Sequence, residues 1–158
     1  MPKDRDYYST QESKISDSNP QKLFNLSYLD KKKVEVKFTM EETSNDGGLL
    51  LLREMENQLG LIKAIEGCIK DERHPSYIDH SVKSMLSQRI MQIAAGYEDA
   101  NDCNTLKNDG ILKVCANQHH SLATQPTMSR FENKVNSKEL YNMAKSFVNQ
   151  YSILSKRT

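Results

Sequence analysis

From Leu49 to Tyr151 the apolar residues recur at intervals of three and four, which is the spacing of one side of an α-helix. Gly60, Pro75 and Gly96 interrupt this pattern, as residues that end helices do. Asn136, with Glu139 three residues later, predicts a capping box at the start of the last helix. The pattern therefore predicts a mainly α fold over residues 44–158, in the form of a small helical bundle built from several short helices.

A different pattern precedes the helical part. Residues 1–30 are rich in Ser, Asp, Asn, Lys and Gln and poor in apolar side chains, which predicts a disordered tail. Over 31–43, apolar residues alternate with polar ones, which predicts one half-buried β-strand. Its inward positions are Val34, Val36, Phe38 and Met40. No second strand pattern follows, so this isolated strand is expected to be a site of self-pairing or aggregation.

Composition indicates the cellular compartment of the protein and limits the kinds of partner it can have. The three cysteines form no CxxC pair, which fits reduced thiols better than disulfides or a zinc site. The N-terminus lacks the apolar segment of a signal peptide, and no apolar run approaches the roughly 20 residues that a membrane span needs. A cytoplasmic protein without membrane contact is therefore predicted. Residues 124–158 hold six basic and two acidic side chains, a net charge of +4 in a chain of net charge +1.

The segment TQPTMSRFEN, residues 124–133, has the features of a DNA-recognition helix. Thr124 can cap it, and Pro126 suits a first turn. Its short or charged donors can reach phosphates and base edges in a major groove, whereas Met128 and Phe131 are expected to face the core. A helix predicted at 104–116 would precede it in a helix-turn-helix-like element, although the connection is longer than the usual tight turn. The alternative interpretation is a surface connector helix.

Two clusters of side chains could be interpreted as metal-binding sites. His119 and His120 lie near Cys115, but three side chains fall short of the four ligands of a zinc site. The stretch GYEDANDCN carries three acids within five residues, at 98, 99 and 102. Because acids on one turn mostly point apart, they are expected to cap the next helix rather than to hold metal ions. Asp79 and His80 likewise lie side by side without a nucleophile, so a capping role is predicted there, and either Asp79 or Ser81 is predicted to cap the next helix.

Three stretches, taken together, resemble one family. They are EETSNDGGLLLLREMENQLGLI at 41–62, YIDHSVKSMLSQRIMQIAAGYEDANDCNTLKND at 77–109, and TQPTMSRFENKVNSKELYNMAKSFVNQY at 124–151. In order and spacing they are similar to the N-terminal region of bacterial insertion-sequence transposases of the DDE class, whose catalytic domain has an RNase H-like fold. The resemblance implies a DNA-binding region, followed in the family by the catalytic acids and their Mg²⁺. None of the three catalytic acids can be placed on this chain. The resemblance therefore implies a truncated transposase that has no cofactor and no catalytic activity of its own.

The predicted function is recognition of the element ends in double-stranded DNA. Arg130 is expected to contact a base or a phosphate, and the phosphate-positioning residues are expected to be Thr127, Ser129, Lys134 and Lys138. One alternative is a helical interaction module that self-associates, or pairs with intact transposase and inhibits it, without binding DNA. Two further alternatives are a residual product that barely folds, and a metal-dependent nuclease built on Glu98, Asp99 and Asp102.

Overall fold

The structure is a computed structural model, and it describes residues 26–29, 32–34 and 46–156, without the side chain of Leu154. The predicted tail at 1–30 and the predicted strand at 31–43 lie mostly outside these ranges. Within them, Leu29 and Lys32 form an isolated antiparallel bridge.

The chain divides into two units, and the second, Ser44–Thr158, contains all the helices described here. They are α1 (Leu49–Leu59), α2 (Leu61–Glu66), α3 (Val82–Ala94), α4 (Asp102–Thr105), α5 (Gly110–Cys115), α6 (Gln125–Lys134) and α7 (Ser137–Ser155), with 3-10 turns at Pro75–Tyr77 and Leu106–Asn108. The prediction of a mainly α fold is thereby confirmed for the part of the chain that the structure describes. No helix in that part is both long and apolar enough to span a bilayer.

Helix α3 is the centre of this unit, because α1, α2, α5 and α6 all pack on it. Its side chains are consequently buried on most sides, including the polar Gln88 and Gln92. The helix begins at Ser81, whose Oγ accepts a hydrogen bond from the Ser84 N–H at 3.1 Å, and this confirms one of its two predicted caps. It ends before Gly96, which adopts a φ of 92° that only glycine takes readily.

The remaining helix ends follow local rules in some places and depart from them in others. Gly60 ends α1 as predicted, in a left-handed conformation with φ 67°. The predicted helix at 104–116 is wrong, because it is broken at Asp109. The Asp109 carboxylate accepts a hydrogen bond from the Leu112 N–H at 2.8 Å, so it starts a new helix, α5, instead of continuing the old one.

The two helices of the predicted helix-turn-helix-like element both pack on α3. Residues 116–124 connect α5 to α6, a longer connection than a tight turn. Helix α5 packs on α1 and α3, whereas α6 packs on α3 and α4. The position of α6 is therefore set by α3 and α4 more than by the helix that directly precedes it.

Helix α7 exposes much of its apolar surface. It packs on α2 and begins with the predicted capping box, in which Asn136 Oδ1 accepts from the Glu139 N–H at 3.0 Å and Glu139 Oε2 accepts from the Asn136 N–H at 2.9 Å. Its large apolar side chains between 47% and 74% exposed are Leu140, Tyr141, Phe147, Val148, Tyr151 and Ile153. Apolar surface of this extent on one helix is typical of an interaction surface.

Candidate nucleic-acid interface

Helix α6 is anchored by its apolar side. Met128 is fully buried in a cluster with Met85, Cys103 and Ala123, and Phe131 packs against this cluster. Both residues face the core, as predicted. Because side chains three and four apart share one side of a helix, the anchored side leaves the polar side chains of α6 at the surface.

The start of α6 is fixed by a buried glutamine. Gln88 Nε2 donates to the Ala123 carbonyl at 2.8 Å, and the Ala123 N–H donates to Gln88 Oε1 at 2.9 Å. Gln88 is 1% exposed and Ala123 is fully buried, so each group would otherwise lack a partner in the core. Gln88 thus holds the main chain two residues before α6 begins.

The predicted cap of α6 is replaced by a contact from another helix. The Thr124 side chain makes no capping hydrogen bond. Instead, the Gln125 N–H donates to Asn104 Oδ1 at 3.1 Å, and Asn104 belongs to α4. The prediction of a Thr124 cap is therefore wrong, because a side chain from α4 already satisfies a free N–H of the first turn.

Arg89 contacts the outer side of α6. Its Nε lies 2.6 Å from Glu132 Oε1, and its Nη2 donates to the Glu98 carbonyl at 2.9 Å. The guanidinium therefore joins α3, α6 and the GYEDANDCN loop. Together with Gln88, it gives the SQR sequence at 87–89 a positioning role that the sequence did not reveal.

Asp99 of the GYEDANDCN loop forms a local turn instead of the predicted helix cap. Asp99 Oδ1 accepts from the Asn101 N–H at 2.9 Å, which makes a local turn just before α4. Asn101 itself provides no side-chain cap. Among the described residues, no group of three or more His, Cys, Asp or Glu side chains could hold a metal ion. His119 and His120 are exposed, whereas burial raises the pKa of the Cys115 thiol to about 12.

One side of α6 borders a cavity of about 330 Å³. The segment 69–80, the first turn of α3 and the start of α7 form its other walls. The lining side chains are Ile69, Lys70, Asp71, Arg73, Tyr77, Asp79, His80, Val82, Met85, Thr127, Arg130, Phe131, Lys134, Val135 and Glu139. The volume is that of a small ligand site.

Three acids line this cavity, and two of them, Asp71 and Glu139, are engaged by fixed donors, whereas Asp79 is exposed. Asp71 binds Arg73 through two hydrogen bonds of 2.8 and 2.7 Å, and the Arg73 guanidinium holds the pKa of Asp71 near 2. Glu139 accepts from the Asn136 and Lys70 main-chain N–H groups, at 2.9 Å each, and these bonds lower its pKa. Both carboxylates are therefore ionised at neutral pH.

Arg130 and Lys134 are the cations of the cavity that stay available. Among the described residues, neither side chain forms a hydrogen bond or an ion pair within 4 Å. Arg73, in contrast, is held by Asp71, and it also donates to the His80 carbonyl at 3.0 Å. Arg130 and Lys134 are therefore the lining cations without an ion pair in the described part of the chain, and Lys134 lies close enough to Asp71 and Glu139 to interact with both electrostatically.

The structure brings three of the five predicted DNA contacts together. Thr127, Arg130 and Lys134 line the cavity, at positions i, i+3 and i+7 of α6. Ser129 lies on another side, about 160° around the helix from Thr127, where Asn133 donates to its carbonyl at 2.9 Å. Lys138 lies in the first turn of α7 and is exposed, outside the cavity lining.

The opposite wall of this cavity was not predicted from the sequence. The segment that contributes Lys70, Arg73, Tyr77 and His80 was interpreted only as a break between helices and a helix cap. Their approach to α6 depends on packing between elements more than 40 residues apart, which local patterns do not encode. Only the mixture of basic and aromatic residues in KDERHPSY, residues 70–77, could have pointed to it.

Comparison with known families gives one result. The model of the family described as "Transposase DDE domain group 1" matches residues 26–156. No curated protein and no solved structure matches the chain. Because the match covers most of the sequence, it agrees with the resemblance to DDE transposases, and the chain belongs to the Transposase DDE domain group 1 family.

Proposed function

We propose that this chain is the N-terminal DNA-binding part of a DDE insertion-sequence transposase and that it recognises element ends in double-stranded DNA. The observation that carries the proposal is the exposed pair Arg130 and Lys134, which lies on a helix whose other side is packed in the core. Family membership supports DNA as the partner, because the family is one of transposases. Pre-organised donors on a fixed helix lose little entropy on binding.

The arrangement of α6 suits the two walls of a major groove. Thr127, Arg130 and Lys134 face one way, so they would contact one strand, with Arg130 at a base edge or a phosphate. Ser129 faces nearly the opposite way and would contact a phosphate of the other strand. Its hydroxyl accepts only a long contact of 3.4 Å from Asn133 Nδ2, so its proton is free to be donated.

Helix α7 would extend the contact along the DNA backbone. Lys138 and Lys145 are exposed and lie seven residues apart, on one side of the helix. Lys156, just after the last helical residue, is exposed as well. Lysines placed in this way neutralise phosphates without reading sequence, which is the general source of affinity for duplex DNA.

Replacing Arg130 with alanine tests this proposal. We expect the affinity for a duplex carrying an element end to fall about tenfold in fluorescence anisotropy, the effect of losing one specific arginine contact. Lys113→Ala is the matched control, since Lys113 lies on α5 and does not line the cavity. Equal affinity of the Arg130→Ala variant and the wild type would contradict the assignment of Arg130.

The proposal assigns Mg²⁺ to the full-length transposase only. The described side chains of this chain do not fit such an ion, because no three acidic, His or Cys groups converge. No step proposed for this chain therefore runs through a metal.

A second candidate function is association with another copy of the same helical region, including the copy within an intact transposase. The exposed apolar side of α7 favours it, because Leu140, Phe147 and Tyr151 are 55%, 47% and 74% exposed. These residues recur at seven- and four-residue intervals, a spacing that two helices can bury against each other. Such pairing would inhibit the partner without any DNA contact.

The association is tested with Phe147→Glu. If α7 pairs with a second copy, the wild type should gain mass with concentration in size-exclusion chromatography with light scattering, and Phe147→Glu should remain monomeric. Asn149→Glu, on the polar side of α7, adds the same charge and should behave as the wild type. A wild type that stays monomeric at about 100 μM, a concentration at which an interface of micromolar affinity is saturated, would exclude this function.

A further inference from the structure

The cavity beside α6 contains side chains that take no part in the proposed contacts to duplex phosphates. Tyr77 lies at its edge with 83% of its surface exposed, and its only ring contact among the described residues is a tilted one with His74, at 5.6 Å between centroids. An exposed aromatic ring at the edge of a cavity can serve as a stacking platform for a planar ligand.

His80 is a neutral lining residue of the cavity. Its Nδ1 is buried and has no hydrogen-bond partner among the described residues. Burial lowers the pKa of this imidazole, so it is neutral at pH 7. Because Nδ1 is closed to a ligand in the cavity as well, His80 contributes an uncharged side chain to the lining and no hydrogen bond from that atom.

The floor of the cavity is apolar, whereas its rim is cationic. Val82, Met85 and Phe131 form part of the floor, and Arg130 and Lys134 stand at the rim without ion pairs in the described part of the chain. The nearby carboxylates of Asp71 and Glu139 are satisfied by Arg73 and by main-chain N–H groups, and a third, Asp79, is exposed at the cavity. One compact site therefore offers a stacking face, an apolar surface and two cations that form no ion pair within 4 Å among the described residues.

We propose that this cavity binds one unpaired nucleotide of a DNA strand, with its base against Tyr77 and the apolar floor and its phosphate on Arg130. The proposal rests on the DNA-binding function argued above and specifies its substrate as DNA with an unpaired position. In a continuous duplex the faces of each base are covered by stacking and its edge by pairing, so only an unpaired nucleotide can supply all the matching groups.

The test compares two DNA probes that share one duplex sequence, one blunt and one with a three-nucleotide single-stranded extension. We expect the extension to tighten binding about tenfold, as for stacking one base on an aromatic side chain. Tyr77→Ala should reduce this ratio to about one, and Tyr77→Phe should keep it, because phenylalanine retains the ring. Tyr141→Ala removes another largely exposed tyrosine, from α7, and should leave the ratio unchanged.

A second measurement separates this inference from duplex binding. In NMR titrations, thymidine 5′-monophosphate should shift the ring resonances of Tyr77 and His80, whereas inorganic phosphate should leave the Tyr77 ring unshifted. If the blunt duplex binds but neither the extension nor the nucleotide has an effect, the nucleotide site is wrong and the DNA-binding function stands. If the nucleotide shifts Tyr77 but no duplex binds, the DNA-binding function is wrong and the cavity still takes nucleotides. No response to any probe overturns both.

Discussion

Replacing Gln88 with alanine should lower the free energy of unfolding by about 3 kcal/mol. Both amide atoms of Gln88 bond to the main chain of Ala123, at 2.8 and 2.9 Å, in a fully buried environment. Their loss leaves a donor and an acceptor without partners, and each costs roughly 1–3 kcal/mol. Urea denaturation followed by circular dichroism measures the change.

Two controls separate the hydrogen bonds of Gln88 from its packing. Gln88→Met fills a similar volume without the amide, so it should be nearly as destabilising as alanine. Gln118→Ala should cost at most about 1 kcal/mol, because the half-buried Gln118 donates one bond, to Ser84 Oγ at 2.7 Å. A Gln88→Met variant of wild-type stability would show that the two bonds contribute nothing, and α6 would then need another anchor.

Reversing the charge of Arg130 and Lys134 together should weaken duplex binding at least about 100-fold at low salt. The double variant Arg130→Glu/Lys134→Glu removes two cations from the phosphates and replaces them with two anions that repel the DNA. Both side chains are exposed, so the melting temperature should change little. The measurement is anisotropy at about 50 mM salt, with a thermal melt of each variant.

The matched control for the double variant is Lys107→Glu/Lys113→Glu, which changes the net charge by the same amount. These lysines lie near α4 and on α5 and do not line the cavity. We expect this control to lose much less affinity, because contacts to phosphates are local on the scale of the Debye length. An equal loss in both variants would mean that only the overall charge matters and that α6 is not the binding element.

Local motifs were the part of this structure that the sequence could predict. Ser81, Gly60 and the pair Asn136 and Glu139 act within one turn of the chain, so residue type and spacing are sufficient to place them. Thr124 was assigned to a cap by the same rule and failed. Asn104 lies on another helix, so no local sequence pattern predicts its contact with Gln125.

The candidate site could be predicted only in part, for the same physical reason. Thr127, Arg130 and Lys134 were named from the sequence as DNA contacts, and helical spacing places them on one side of α6, whereas Ser129, named with them, lies on another side. Tyr77 and Arg73 approach them across the fold, and that approach depends on the packing around α3. The amphipathic pattern of α7 likewise predicted a helix, but it did not reveal that the apolar side would stay exposed.

The salt dependence of duplex binding tests the central claim most directly. If α6 and α7 neutralise phosphates with Arg130, Lys134, Lys138, Lys145 and Lys156, log K should fall linearly with log salt at a slope of about −4.5, since each of the five phosphate contacts contributes about −0.9. Arg130→Ala/Lys134→Ala should reduce the steepness of that slope by about 2. Absence of binding at about 50 mM salt, or a slope near zero, would contradict the account.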